Sequence, residues 1–234
     1  SLVGIASNEG AAPSDEEYVK DMLEPLESSL SKKAFYLLQD NSNSNADSFN
    51  SYMSQGTSWV NYIGHGSGFS WPSFFQEYNV DDIAGISVNK VRPVIIDVAC
   101  QNGKFDNSGR IGESFMFSSY RGEGIGAVAY YGGTVDISWD PPAIMAVGIN
   151  KSVASKEFSH LGEVLLDGHL YLIENHSNKE ARTFWKNEYS KIEEKQKVKA
   201  KYKNTIGEVL TSFIAYKKRM RVQNNLFIMW VARH

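Results

Sequence analysis

The chain has 234 residues, of which 42% are hydrophobic and 22% charged, and its formal net charge at pH 7 is -3. This composition excludes an intrinsically disordered chain and allows one substantial hydrophobic core. The small net charge argues against nucleic acid or an anionic membrane as the main partner. No apolar run reaches the roughly eighteen residues of a membrane span, and the single cysteine excludes an internal disulfide.

The N-terminus lacks the basic and then apolar pattern of a signal peptide, so no targeting segment is predicted in this chain. The chain begins inside a predicted strand at 2–6, which favours a piece of a longer precursor. Taken alone, the sequence encodes neither the compartment nor the oligomeric state.

A capped helix is predicted after the first strand. Ser14 is the predicted N-cap, and Glu17 follows three residues later as in a capping box. Apolar residues at helical spacing extend this helix over 14–30. The next predicted elements are a strand at 34–38, a short helix at 46–55 and a strand at 57–63.

The following elements continue the alternation of strands and helices. Residues 66–78 are rich in glycine, serine and aromatic residues, which is typical of a long connection that forms substrate walls rather than core. The predicted elements after it are a helical turn at 80–85, a buried strand at 91–98, a helix at 110–120 and a strand at 126–131. This alternation predicts an α/β domain over 1–177, with a parallel sheet between helical layers.

The remaining segment, 178–234, is rich in lysine and predicted to be a helical extension. A solvated helical face is the favoured interpretation, and a basic docking arm for an acidic partner or nucleic acid is the alternative. The apolar run at 225–231 is about half the length of a membrane span and predicts either a last strand or a docking segment.

Two predicted strands end near residues that can transfer protons or act as nucleophiles. His65 follows the strand at 57–63, and Cys100 follows the strand at 91–98. In open parallel sheets, ligands bind beyond the carboxyl ends of the strands. A lone cysteine after an apolar strand is usually structural, but a thiol beside an imidazole can attack a carbonyl. We therefore predict a Cys/His hydrolase.

The glycine that follows His65 has a predicted role of its own. An attacked carbonyl develops negative charge on its oxygen, which preorganised backbone N–H groups stabilise. The N–H groups of Gly66 and Cys100 are the predicted oxyanion donors. The alternative for this glycine-rich loop is a flexible loop or a phosphate cradle, but it lacks both the Gly-Lys-Ser/Thr ending and the Gly-x-Ser-x-Gly pattern.

Several separated motifs resemble one known family. They are Ile5 to Gly10, Pro13 to Tyr18, Tyr62 to Ser67 with Trp71, Asp97 to Gly103, Gly126 to Thr134 with Trp139, and Gly162 to Leu165. In this order they resemble the catalytic core of the gingipain-type cysteine peptidases of clan CD, relatives of caspases and legumains. The resemblance covers roughly residues 2–177.

The resemblance implies a caspase-like αβα sandwich with a mostly parallel sheet, in which Cys100 is the nucleophile and His65 the acid–base partner. Glu9 matches the acidic residue that orients the histidine, although a simple turn residue is an equal alternative. The implied activity is that of a cysteine endopeptidase that acts on polypeptides through an acyl-enzyme. The resemblance also implies a secreted or cell-surface protein.

Specificity follows from the same resemblance. Family members select a basic residue before the scissile bond through an acidic pocket residue, and Asp15 lies near the position used by arginine-selective members. Helix capping is the competing explanation for Asp15. Asp140 lies close to where a lysine-selective member places its acid, although its surroundings do not align cleanly. Trp139 resembles a pocket wall, with core packing as the alternative.

The sequence also departs from the family. We expect this chain to lack the half-domain that normally precedes the catalytic domain, and the family's C-terminal pattern is kept only at Leu226 and Phe227. Two other functions stay open. One is a sortase-like transpeptidase that uses the same residues on secreted proteins, and the other is a non-catalytic caspase-like scaffold that binds partners.

No cofactor is required by this interpretation. Surface positions are the default for three further histidines, with a metal site as the alternative: His160, His169 and His176. Calcium as a structural ion would use loop carboxylates such as Asp81, Asp82 or Asp106, but their spacing does not dictate a site.

Overall fold

The computed structural model describes residues 1–88, 91–104 and 109–175, together with the backbone of a strand at 227–231. The main strands are β1 (Leu2–Ala6), β2 (Ala34–Leu38), β3 (Trp59–Ile63), β6 (Val94–Val98), β9 (Ala129–Gly133) and β10 (Phe227–Val231). The two-residue strands are β4 (Ser70–Trp71), β5 (Tyr78–Asn79), β7 (Ser119–Tyr120) and β8 (Glu123–Gly124). The helices are α1 (Asp15–Leu30), α2 (Ala46–Ser54), a 3₁₀ helix (Val80–Gly85), α3 (Ile111–Phe117), α4 (Asp140–Ser155) and α5 (Leu161–Asn175).

The six main strands form one sheet in the order β10-β9-β6-β3-β1-β2. Pairing is parallel from β2 to β9, and β10 pairs antiparallel with β9. The predicted α/β sandwich with a mostly parallel sheet is confirmed. Of the apolar run at 225–231, predicted as a last strand or a docking segment, residues 227–231 form β10 of this sheet, whereas 176–226 lies outside the described residues.

The central strands are buried on both sides, so alternate residues feed two separate cores. One side, which we call the helical face, is covered by α1, α4 and α5 and includes Leu23 and Ile149. The other, which we call the aromatic face, is covered by α2, α3 and residues 70–86. Each helical layer therefore contacts its own row of strand side chains.

The connection at 66–78 contributes to the core of the aromatic face. Trp71 and Tyr78 are fully buried, and Phe74 is 2% exposed. The prediction that this segment forms substrate walls rather than core is wrong for these side chains. Helices α2 and α3 have only nine and seven residues, so the aromatic rings fill the space that they leave beside the sheet.

Helix α1 begins as the sequence predicts. The Ser14 side chain accepts a hydrogen bond from the Glu17 N–H at 3.3 Å, and the Ser14 N–H donates to the Glu17 carboxylate at 2.7 Å. This reciprocal pair satisfies two backbone donors that a helix start leaves free. The capping box therefore sets where α1 begins, at the carboxyl edge of the sheet.

Candidate active site

His65 and Cys100 follow adjacent parallel strands in equal register. Ile63, the last residue of β3, pairs with Val98, the last residue of β6, and each functional residue lies two positions further on. The Gly64 N–H donates to the Val98 carbonyl at 3.2 Å, which continues the pairing beyond the strand ends. The two loops therefore leave the sheet side by side at its carboxyl edge.

The glycine after His65 allows the two loops to touch. A Cβ at Gly66 would collide with the Cys100 carbonyl oxygen and would lie 2.9 Å from the Cys100 nitrogen. Any larger residue at this position would force the loops apart. Both residues predicted as oxyanion donors thus lie in direct contact through their backbones.

Hydrogen bonds fix the backbone of His65 and the sulfur of Cys100. The His65 N–H donates to the Ser73 hydroxyl at 3.0 Å, and the His65 carbonyl accepts from the Tyr62 hydroxyl at 2.6 Å. The Ile137 N–H donates to the Cys100 sulfur at 3.4 Å. Cys100 is partly accessible rather than sealed in the core.

The imidazole of His65 is paired with a carboxylate. Its Nε2 lies 3.0 Å from Oε1 of Glu9, and both side chains are about half exposed. This contact is the one expected of a residue that orients a histidine, and it leaves Nδ1 of His65 available to a substrate. The His65 ring also meets the Trp139 ring edge to face, with 5.3 Å between centroids.

Asp15 is the first residue of α1, but its carboxylate does not cap the helix, because Ser14 is the N-cap. Asp15 is fully buried. Its Oδ2 accepts from the Ser7 hydroxyl at 2.5 Å, and its Oδ1 accepts from the indole N–H of Trp139 at 2.8 Å. Burial raises the pKa of Asp15, and these two hydrogen bonds oppose the increase. Helix capping is therefore not the role of this carboxylate.

The other two predicted pocket residues lie at the start of α4. Trp139 immediately precedes α4 and is partly exposed. Asp140 is the first residue of α4 and is exposed. The structure thus brings Glu9, His65, Asp15 and Trp139 into one chain of contacts, with Asp140 next to it in sequence.

Sequence reasoning missed a buried polar network behind the Cys100 loop. Oδ2 of Asp97 accepts from the Trp71 indole at 2.8 Å, from the Asn102 amide at 3.0 Å and from the Tyr130 hydroxyl. Asn102 in turn accepts from the Gly68 N–H at 2.9 Å. Desolvation raises the pKa of Asp97 to about 6, opposed by these donors. In the sequence, the feature that could have revealed this network is Asp97 itself, an acidic residue inside an apolar strand.

The residues considered for metal binding have other contacts. His160 lies 3.4 Å from a Glu163 oxygen, and Nε2 of His169 lies 3.2 Å from the Tyr131 hydroxyl. Asp82 accepts a hydrogen bond from the Asn79 N–H at 2.8 Å in a cap of the 3₁₀ helix. Within the described residues, no group of three or more His, Cys, Asp or Glu is arranged to hold a metal ion. His176 and Asp106 lie outside the described residues.

No helix in the described part of the chain combines the length and the hydropathy needed to cross a membrane.

The fold and this edge of the sheet define a protein of the gingipain-type class of αβα sandwiches. A crystal structure of the Arg-specific cysteine proteinase gingipain R matches with a TM-score of 0.69 and 25% identity, over 77% of this chain and 43% of that one. A complex of the pro- and mature domains of RgpB from Porphyromonas gingivalis has the same fold, with a TM-score of 0.68 and 22% identity, over 77% of this chain and 44% of that one.

The family model of peptidase family C25 matches residues 1–192, and the chain belongs to this family. Gingipain R2 of Porphyromonas gingivalis is 29% identical over 135 residues, which are 56% of this chain and 18% of that protein. Gingipain R1 of the same species is 29% identical over 135 residues, 56% of this chain and 13% of that protein. The chain thus spans less than a fifth of the length of these curated relatives.

Proposed function

We propose that the chain contains the catalytic centre of a cysteine endopeptidase, with Cys100 as nucleophile and His65 as acid–base partner. One observation carries the proposal: the two loops leave adjacent parallel strands in equal register, and Gly66 packs directly on the Cys100 backbone. Membership of peptidase family C25 supports the same assignment. The partial accessibility of Cys100 at this edge is consistent with attack on an extended polypeptide.

The reaction begins when the Cys100 sulfur attacks the peptide carbonyl and its proton passes to His65. The carbonyl oxygen becomes negative and accepts hydrogen bonds from the N–H groups of Gly66 and Cys100. Nδ1 of His65 then gives its proton to the leaving amine, while Glu9 at Nε2 stabilises the imidazolium. Water attacks the thioester, releases the acid and restores the thiol.

For the residue before the scissile bond, we propose a preference for arginine or lysine. Among the described residues, the Asp15 carboxylate accepts hydrogen bonds from two neutral side-chain donors, Ser7 and Trp139, and the Trp139 ring connects it to His65. A substrate cation would displace the Trp139 N–H from Oδ1 and form a charge-assisted bond in its place. Asp140, the first residue of α4 and the neighbour of Trp139 in sequence, adds a second negative charge near this contact.

The domain assignment also stays a proposal. We assign 1–177 to the catalytic domain and 178–234 to a C-terminal extension, whose strand β10 pairs with β9 at the edge of the sheet. We propose that the protein is secreted or lies on the cell surface, as its resemblance to gingipain-type peptidases implies. We assign polypeptides as its substrates.

Active-site labelling tests the proposed function. A peptidyl electrophile with arginine at its reactive end is expected to modify Cys100, read out by mass spectrometry of the intact protein and its fragments. His65→Ala should slow labelling by about a hundredfold, since acid–base partners typically contribute 10²–10⁴-fold. His160→Ala, an exposed histidine outside the site, is the matched control and should label like the unmodified chain.

The outcomes separate the competing functions. Cleavage products that incorporate an added amine in place of water would identify a transpeptidase with the same residues. Folded protein that resists labelling by electrophiles with arginine, lysine and neutral side chains would instead support a non-catalytic scaffold and overturn the proposal.

A further inference from the structure

Arg110, which immediately precedes α3, is a buried cation without an anionic partner in the described part of the chain. Only 7% of the residue is exposed, and its Nε is buried without a hydrogen-bond partner. Among the described residues, no carboxylate pairs with its guanidinium. Removing a charge from water is costly unless another group compensates it, so an uncompensated buried arginine points to an anion supplied from outside.

The guanidinium of Arg110 lies on the loop that carries His65. Its Cζ stands 4.4 Å from the centre of the Phe69 ring, which is 46% exposed. A Cβ at Gly68 would collide with Nη1 of Arg110, so the guanidinium rests directly on the Gly68 backbone. The Ile111 N–H donates to the Gly68 carbonyl at 2.9 Å and holds the loop against the start of α3. Arg110 is thus fixed against Gly68, which lies two residues beyond Gly66 in the chain.

The position of Arg110 relative to the site indicates which part of a substrate it would meet. Asp15 begins α1 and Trp139 precedes α4, and both helices cover the helical face. Arg110 and Phe69 adjoin α3 and β4, which cover the aromatic face. His65 and Cys100 leave the sheet between these two sides. A peptide whose basic residue enters at Asp15 therefore places its leaving half on the side of Arg110.

We propose that Arg110 and Phe69 form a binding site for a peptide carboxylate on the leaving-group side of the scissile bond. This inference rests on the proposed function, because the leaving-group side is defined by attack at Cys100. The fork of Nη donors can hold a carboxylate in a bidentate arrangement. The exposed face of Phe69 offers apolar contact to the carbons that bear the carboxylate, while the ring also stabilises the cation.

The carboxylate bound by Arg110 has two possible sources: an acidic side chain after the scissile bond, or the free C-terminus of a short leaving peptide. Matched peptides distinguish them. One series carries Glu or Gln at the first to third positions after the cut and has an amidated C-terminus, and the other carries Gln there and has a free or amidated C-terminus. We measure kcat/KM for each peptide with the unmodified chain and with Arg110→Met, Arg110→Lys and Arg121→Met.

Arg121 is the matched control, since it is also an arginine stacked on an aromatic ring, at 5.1 Å from the centre of Tyr120, but it is exposed and lies after α3. With the unmodified chain, the carboxylate member of at least one pair should be cleaved about tenfold faster, the effect of one charge-assisted hydrogen bond. Arg110→Met should reduce this ratio to about one, Arg110→Lys should keep part of it, and Arg121→Met should leave it unchanged. Each ratio is taken within one variant, so a loss of stability does not imitate the result.

Peptide binding to Cys100→Ala protein, measured by calorimetry with the same peptides, tests the Arg110 site separately from the proposed peptidase activity. A carboxylate preference in binding that disappears in Cys100→Ala/Arg110→Met supports the Arg110 site even if the unmodified chain cleaves nothing. Equal cleavage and equal binding of both members of every pair, or a preference that survives Arg110→Met, would overturn it.

Discussion

The two faces of the sheet reach similar burial by different means. The helical face is closed by α1, α4 and α5, which have 15 or 16 residues and present mostly aliphatic side chains. The aromatic face is closed by two shorter helices and a segment whose rings pack against one another, with Trp71 stacked on Tyr62 at 4.9 Å between centroids. A long helix buries a continuous stripe of medium-sized aliphatic side chains, whereas a loop must use large aromatic rings to cover the same area of the sheet.

The polar groups that each face buries differ in kind. On the helical face, Asn61 and Asn150 exchange two amide hydrogen bonds of 2.9 and 3.0 Å. On the aromatic face, Asp97 accepts three hydrogen bonds at one oxygen, and its Oδ1 has none among the described residues. The first cluster is neutral and satisfied, while the second can ionise. The Asn61–Asn150 pair is therefore expected to be insensitive to pH, and the Asp97 cluster sensitive to it.

The largest expected effect is the loss of a ring from the aromatic face. Trp71→Ala should lower the free energy of unfolding by about 4 kcal/mol or more, because it leaves a cavity and removes one donor to Asp97. Met22→Ala on the helical face should cost about 3 kcal/mol. Urea titrations monitored by circular dichroism measure both. A smaller loss for Trp71→Ala than for Met22→Ala would show that the ring cluster packs loosely.

The next effect concerns pH. Because the folded pKa of Asp97 is raised from 3.8 to about 6, the folded chain binds more protons than the unfolded chain between these values. Stability from this group is thus greatest below about pH 4 and falls by about 3 kcal/mol as the pH rises through 6. Asp97→Asn should remove this slope from the difference between the two stability profiles. Asp21→Asn, an exposed carboxylate on α1, is the control and should leave the slope in place.

The amide pair tests the helical face in the same way. Asn150→Ala leaves the Asn61 carboxamide buried and unpaired, so it should lower the free energy of unfolding by about 2 kcal/mol at every pH. The double variant Asn61→Ala/Asn150→Ala should cost at least about 1 kcal/mol less than the sum of the single changes, since the partners are in contact. Additive losses would mean that the two amides act independently.

The smallest effects are at the helix caps. Ser14→Ala at α1 and Asn45→Ala at α2 should each cost about 1 kcal/mol, because each removes an oxygen that accepts from a free helix N–H. Thermal or urea unfolding measures both losses. Similar losses for the two cap variants would show that the two faces differ in the packing of their cores and not at their helix ends. A cap effect at α2 of several kcal/mol would instead indicate that this short helix depends on its ends.

Local chemistry explains which features the sequence predicts. The Ser14–Glu17 capping box and the apolar strands act over a few residues, and His65 and Cys100 could be placed together because each follows such a strand. The buried position of Trp71 depends on how much of the sheet α2 and α3 leave open, which no local pattern encodes.

The surroundings of the candidate site depend on more distant partners. Asp15 is held by residues 7 and 139, and the donors to Asp97 come from residues 71, 102 and 130. The sequence supplies the types of these residues, but their pairing arises only when the loops meet at one edge of the sheet. The burial of Arg110 away from the carboxylates of the described residues is visible only in the folded chain for the same reason.

The position of Trp139 has an optical consequence. Its indole lies edge to face with the His65 imidazole and donates to the Asp15 carboxylate. Breaking the indole hydrogen bond changes the surroundings of the ring and shifts its emission wavelength. Trp139 is thus a built-in fluorophore within the candidate site, and its contribution to the emission of the five tryptophans should report the arrival of a cationic side chain at Asp15 without any added dye.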